Sequence, residues 1–260
     1  MFRSLPAFGG DQRAVAEVVR GIMDGKTNNT GSITLATGGA TSTTLTDRRI
    51  GPDSVILFAP ASAAAFADSA PYGAFQDGTD QTVANTTTAY PITFDTTDFS
   101  NGVTLSNSSR LNVKVAGMYN IQFSVQLKNT TNDSQDVDIW FRKNGTDIAA
   151  SNSKFGLAPR KASGDPFHLI GAMNFYADLA ANDYIQLMWR ASDTGAMIEH
   201  YAAGTSPTRP ITPSVIATVN LVSLAASTNI YASSQGQGTA TITHFANSTA
   251  NKTYRYAIIG

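Results

Sequence analysis

Gly117-Met118-Tyr119-Asn120-Ile121-Gln122-Phe123-Ser124-Val125-Gln126-Leu127 is the stretch that decides the fold. Every second residue from Tyr119 to Leu127 is large and apolar, the period of a strand with one face buried. The same reading extends outward to Tyr90-Pro91-Ile92-Thr93-Phe94, Arg110-Leu111-Asn112-Val113-Lys114-Val115 and Val137-Asp138-Ile139-Trp140-Phe141-Arg142. It continues through residues 167 to 175, 184 to 190 and 214 to 224. Asn144-Gly145, between Trp140-Phe141 and Ile148, is a tight-hairpin signal. Eight to ten strands with Gly, Asn and Asp turns between about 72 and 222 predict a sandwich or jelly roll.

The flanks have another rhythm. Asp11 is placed to cap a helix, and Val15, Val18, Val19, Ile22 and Met23 then recur on one face until Gly25. A helix this short is marginal alone, so its stripe must pack on the body of the protein or on another chain. These five residues are therefore the candidate contacts to an oligomer partner or a larger particle. From Thr30 the period changes to two, in Ile33-Thr34-Leu35, Thr43-Thr44-Leu45-Thr46 and Ser54-Val55-Ile56-Leu57-Phe58. The Ala-rich residues 61 to 67 form a helical turn or a crossover. The strand pattern of the flank returns in Asn229-Ile230-Tyr231-Ala232, Thr239-Ala240-Thr241-Ile242-Thr243 and Tyr254-Arg255-Tyr256-Ala257-Ile258-Ile259.

Composition narrows the function. A chain of 260 residues buries roughly 70 to 75% of its unfolded surface, so it needs no metal or disulfide to fold. With no cysteine, thiol nucleophiles and cysteine-ligated metals are excluded. Eighteen Lys and Arg against 19 Asp and Glu leave a formal charge of −1, too little positive field for nucleic acid. Only 14% of residues are charged, and the polar surface is left to Thr, Ser, Asn and Gly, as in all-β surface proteins. Pro6, Gly9 and Gly10 interrupt the N-terminus, which predicts no signal peptide. The apolar residues 55 to 67 fall short of the roughly 20 that span a bilayer, so no membrane partner is expected.

No G-x-S-x-G, P-loop, dinucleotide or H-E-x-x-H motif occurs, and His168, His200 and His244 lie in separate segments. No catalytic residue, cofactor or resident metal is expected, and the chain is not read as an enzyme. Asp77 with Asp80, Asp95 with Asp98, and Asp133, Asp136 and Asp138 sit in polar turns. They read as solvated loops, with calcium as the alternative, and none has EF-hand spacing. Trp140, Trp189, Tyr176 and Tyr201 are the aromatics able to stack on sugars, the two tryptophans reading first as core. Residues 199 to 213 are rich in Gly and Pro, and Tyr201 and Arg209 within them are the candidate ligand contacts.

Ile92-Thr93-Phe94, Val113-Lys114-Val115, Gly117-Met118-Tyr119-Asn120-Ile121-Gln122-Phe123 and Trp140-Phe141-Arg142-Lys143-Asn144-Gly145 together resemble the globular head of complement collagen-like proteins and tumour necrosis factor. Gly-x-Tyr-x-apolar-x-Phe is the most specific part. Ala180-Ala181-Asn182-Asp183-Tyr184-Ile185-Gln186-Leu187 resembles that family's turn before a late strand. Over about 150 residues the resemblance implies a ten-strand jelly roll that trimerises, with loops at one end free to bind.

The flanking segments Thr27-Asn28-Asn29-Thr30-Gly31, Asp47-Arg48-Arg49-Ile50, Ile230-Tyr231-Ala232-Ser233 and Thr253-Tyr254-Arg255-Tyr256-Ala257-Ile258-Ile259-Gly260 are similar to a short uncharacterised phage protein family. The two resemblances imply a mainly β chain in which the jelly-roll sandwich is inserted into a small discontinuous β domain, with one short N-terminal amphipathic helix. The implied boundaries are 1 to 28 for the arm and helix, 29 to 69 plus 225 to 260 for the base, and 70 to 224 for the head.

The implied role is a bacteriophage virion structural protein, located in the virion, whose base grips other virion proteins. Its head would form a homo-oligomer, a trimer, and could meet a host surface glycan. Tail or collar attachment is preferred to capsid decoration as a cement or head-fibre protein. A secreted carbohydrate-binding module is the alternative.

Overall fold

The computed structural model describes residues 11–24, 29–67, 71–224, 230–247 and 249–260. The chain is mainly β, and it divides into two compact units, Met1–Phe66 with Asn229–Gly260, and Ala67–Thr228. Gly25, Asn229 as a residue, and the expected boundaries at 69 and 225 lie outside the described residues.

In the first unit helix α1 (Gln12–Met23) starts where Asp11 accepts the Arg13 N–H at 2.9 Å, and it buries none of its residues. Strands β1 (Thr30–Thr34), β2 (Ala40–Thr46) and β3 (Val55–Pro60) come from the N-terminal segment, followed by the short helix α2 (Ala63–Ala67). The remaining strands are β19 (Tyr231–Gly236), β20 (Thr239–Asn247) and β21 (Thr253–Ile259). They form two antiparallel three-stranded sheets, ordered β1-β21-β3 and β19-β20-β2. Each sheet joins strands from opposite ends of the sequence, Ile33 facing Tyr254 and Thr43 facing Ile242. Ile33, Leu35, Leu45, Ile50, Ile242, Tyr254, Tyr256 and Ile258 close the core. Alternation turns Val55, Leu57 and Ile259 to the outer face of the β1-β21-β3 sheet, where they are exposed.

The second unit is a jelly-roll-like sandwich. Its strands are β4 (Tyr72–Asp77), β5 (Tyr90–Pro91), β6 (Thr96–Asn101), β7 (Val103–Ser106), β8 (Arg110–Val113), β9 (Gly117–Asn129), β10 (Gln135–Lys143), β11 (Thr146–Asp147) and β12 (Ser153–Leu157). They continue as β13 (Phe167–Leu179), β14 (Tyr184–Ala191), β15 (Ala196–Ile198), β16 (Gly204–Thr205), β17 (Thr208–Arg209) and β18 (Val215–Leu224). One sheet runs β11-β10-β14-β8-β7, with β12 on β10 and β5 on β14. The other runs β13-β9-β18-β4-β6, with β15 on β9.

Tyr119, Ile121, Phe123, Val125 and Leu127 all point into the space between the sheets, against Leu111, Ile139, Phe141, Leu187 and Trp189. Phe141 packs edge-on to Phe123 and stacks on Phe175, the ring centroids 6.0 and 4.7 Å away. Asn144 and Gly145 take positive φ of 48° and 84°, the backbone of a tight hairpin turn between β10 and β11.

Two expectations need correction. Of residues 90 to 94 only Tyr90 and Pro91 pair in a sheet, since Pro91 has no N–H with which to extend the ladder. Ile92 and Phe94 are nevertheless buried, their N–H groups bonded to the Leu187 and Ser108 carbonyls at 2.8 and 2.7 Å. Trp189 lies in the core, whereas Trp140, between the buried Ile139 and Phe141, faces outward and is half-buried.

The first and last long strands of this unit are neighbours, Tyr72 pairing with Asn220. The chain therefore enters and leaves at the end of the sandwich where Leu224 lies beside Gly117. The opposite end is marked by Asn129, which pairs with both Phe167 and Ala196. At about 3.4 Å per residue the length of β9 separates the two ends by about 40 Å.

Candidate functional site

The far end of the sandwich gathers the titratable side chains. Lys128 and His168 face each other across β9 and β13 on the outer side of the sheet, and Met197 of β15 lies beside Lys128. The chain then runs into Glu199, whose N–H bonds to the Gln126 carbonyl at 2.9 Å. This tethering sets the Glu199 carboxylate, only 3% exposed, beside Lys128, with Nζ to Oε2 at 3.1 Å. His168 Nδ1 contacts Oε1, and the Tyr201 hydroxyl donates to the same oxygen at 2.5 Å.

A carboxylate can only accept, so the His168 proton on the Glu199 side sits on Nδ1, and Nε2 is the nitrogen left over. Burial and the Glu199 hydrogen bond both push the Tyr201 phenol above its ordinary range, so the hydroxyl stays protonated. With both oxygens of Glu199 engaged, the outward surface of the cluster is the Tyr201 ring, 39% exposed, and the edge of His168. A ring held by its own hydroxyl is a rigid stacking platform.

His200 turns the other way. Its N–H and its Nδ1 both contact Asp80 Oδ1, at 2.8 and 2.7 Å. Burial works to raise the Asp80 carboxyl, but these His200 bonds outweigh it and hold the group below its ordinary value.

Tyr201 begins a hairpin. It bridges to Thr212, and Gly204 pairs with Arg209 and Thr205 with Thr208 in the same register. Side chains alternate along such an arm, which puts Tyr201 and Arg209 on opposite faces. Arg209 lies over Gly204, where an added β-carbon would meet it at 2.8 Å. The two candidate ligand contacts thus share one arm but do not converge on one ligand.

The other candidates are dispersed. Val15, Val19, Ile22 and Met23 of α1 are exposed and Val18 is half-buried. Tyr176 is exposed on β13 near the connection end. Asp77 is buried and engaged by the Thr79 N–H, the Thr79 hydroxyl and the Thr93 hydroxyl at 2.8, 2.5 and 2.9 Å. Asp138 is buried against Arg190 at 2.7 Å. Among the described residues no group of three His, Cys, Asp or Glu side chains is placed to hold a metal ion. His244, in the first unit, donates from Nδ1 to the Phe245 carbonyl at 2.7 Å, and its Nε2 lies 2.8 Å from the Thr43 hydroxyl.

A polar recess lined by Ser134, Gln135, Asp136, Leu157 and Ser192 opens at the same far end as Glu199. The sequence singles out Tyr201 as a candidate but gives no sign that Glu199, Lys128 and His168 are its partners. Lys128 and His168 are 73 and 33 residues before Tyr201 and Glu199 two before it, and no local spacing announces them.

No protein-family model matches the chain, and no curated protein matches it.

Proposed function

We propose that this is a bacteriophage virion structural protein whose first unit attaches to the particle, at the tail or collar, and whose second unit presents its loops to the host surface. The carrying observation is the polarity of the sandwich. Its connections leave at the Tyr72 and Leu224 end, and the Tyr201–Glu199–His168–Lys128 cluster and the polar recess sit at the other. A domain held at one end and chemically dressed at the other is arranged for display. The similarity of the flanking segments to a phage protein family supplies the virion context.

In the first unit the exposed apolar face carrying Val55, Leu57 and Ile259 favours attachment, and the stripe of α1 is a second exposed apolar surface. In the second unit Tyr72, Phe99, Ile170, Tyr176 and Ile216 are all exposed on the outer side of the β13-β9-β18-β4-β6 sheet. On that side Asn120 carries a buried Oδ1 with no hydrogen-bond partner. A homo-oligomer, a trimer in this reading, would cover the apolar residues and offer Asn120 a donor.

The test is mass spectrometry and antibody labelling of purified particles from the phage that encodes the chain. Copies at the tail or collar are expected, and their absence from mature particles would end the proposal. Labelling over the whole capsid would move the protein to capsid decoration. A glycan array on the isolated protein, with binding to free sugars and no copies in particles, would favour the carbohydrate-binding module.

A further inference from the structure

We infer that α1 closes a parallel three-helix bundle with the α1 helices of two further copies, through Val15, Val18 and Ile22. The inference rests on the homo-oligomer proposed above and adds a second contact to it. Val15, Val18 and Ile22 follow one another at intervals of three and four, the a, d, a sequence of a heptad seam.

All three are β-branched. In parallel coiled coils β-branched residues at both a and d shift the preference from two strands to three or more. The flanks agree with this. Ala14 and Gly21 fall at g and are small, and Val19 at e is apolar and exposed, so the seam is wide and its flanks closely approachable. Within the helix Arg13 and Arg20 fall at f and Glu17 at c, outside the contact, and the capping Asp11 falls at the d position before Val15, where it bonds the Arg13 N–H and bounds the apolar seam at its N-terminal end. Met23, 82% exposed, falls at b and is also outside.

From Val15 to Ile22 the seam carries no charge and is complementary to itself, and no residue of α1 is fully buried, Val18 being half-buried. Its size fixes how it must act. The twelve-residue helix is about 18 Å long and the seam from Val15 to Ile22 about 10 Å, below what holds separate chains together. In an oligomer already joined through the sandwich, the three helices meet at high effective concentration and the short seam suffices. That use of α1 leaves the Val55, Leu57 and Ile259 face free for the particle.

The chain has no cysteine, so a single introduced thiol reports only on its own neighbours. Val18→Cys is made in the full chain and oxidised, alongside Glu17→Cys as the outward-facing comparison and Val15→Cys as a second seam position. Light scattering gives the mass of each, and circular dichroism and tryptophan emission check that each is folded. The expected result is a trimer in which V18C and V15C form disulfide-linked pairs, with one chain in three left unlinked, and E17C stays unlinked. A trimer without cross-links at either seam position, or with equal cross-linking of E17C, overturns the bundle and leaves the oligomer standing. Complete pairing in a dimer overturns the three-fold arrangement. A monomer at high concentration removes the oligomer itself, and the bundle with it.

Discussion

Gly117 lies so close to Ser223 that a β-carbon built on the glycine would sit 2.4 Å from the Ser223 carbonyl oxygen. The approach occurs where β18 slips its register between Leu221 and Ser223. The glycine of the Gly-x-Tyr pattern is therefore required by a bulge on the neighbouring strand. Tyr119, two residues on, is held by a bond from its buried hydroxyl to the Val115 carbonyl at 2.7 Å.

Gly117→Ala will destabilise the second unit by about 1–3 kcal/mol, the usual cost of forcing atoms into a packed site. Both tryptophans, Trp140 and Trp189, belong to that unit. Urea unfolding followed by tryptophan emission therefore reports on it selectively, and an unchanged midpoint would contradict the packing argument.

Glu199→Gln will loosen the 201–212 hairpin. The amide keeps the shape but loses the charge that Lys128 and His168 face, at a cost of about 1–3 kcal/mol. Deuterium exchange should rise in that hairpin while β9 and β13 stay protected. Tyr201→Phe should act in the same direction and more weakly, by about 1 kcal/mol.

Acid will weaken the first unit through Asp47. The Arg49 guanidinium, the Arg49 N–H and the Tyr256 hydroxyl all bond its carboxylate, and burial does not offset them, so its pKa is held far below the ordinary value. A pKa depressed by folding contributes stability that is complete above the unfolded value, about 3.9, and is lost as the pH falls through the folded one. Asp47→Asn should lower the stability of this unit at neutral pH by about 1–3 kcal/mol and flatten the acid dependence below pH 4. Calorimetry would follow the transition that tryptophan emission does not see. Equal acid sensitivity in wild type and variant would exclude Asp47 as the source.

Under the display role proposed above, particle adsorption should separate the two faces of the hairpin. Tyr201→Ala removes the exposed ring and should slow adsorption by about tenfold or more, as for the loss of an aromatic anchor. Arg209→Ala, on the opposite face, should leave it within about twofold. The reverse pattern would transfer the contact to the Arg209 side.

The strongest sequence signals came from strands with one buried face. β9 was legible because it is central and long, so five alternating side chains had to enter the core. Residues 90 to 94 alternate just as clearly, yet they are buried without forming a full strand, because burial and sheet pairing are separate requirements. β6 gave no signal, since its residues lie at the edge and are nearly all exposed. The Glu199 cluster was illegible because Lys128, His168 and Glu199 belong to different elements and meet only through strand register. Periodicity marks a strand but does not name its partner, so the match of Thr30–Thr34 with β21 could not be read from alternation.

The hydrogen-bonded pairing of β4 with β18 has a mechanical consequence. A pull exerted on the Tyr201 loops would be carried through two covalent chains leaving side by side. Each would bear part of the tension, with the β4–β18 ladder loaded in shear between them.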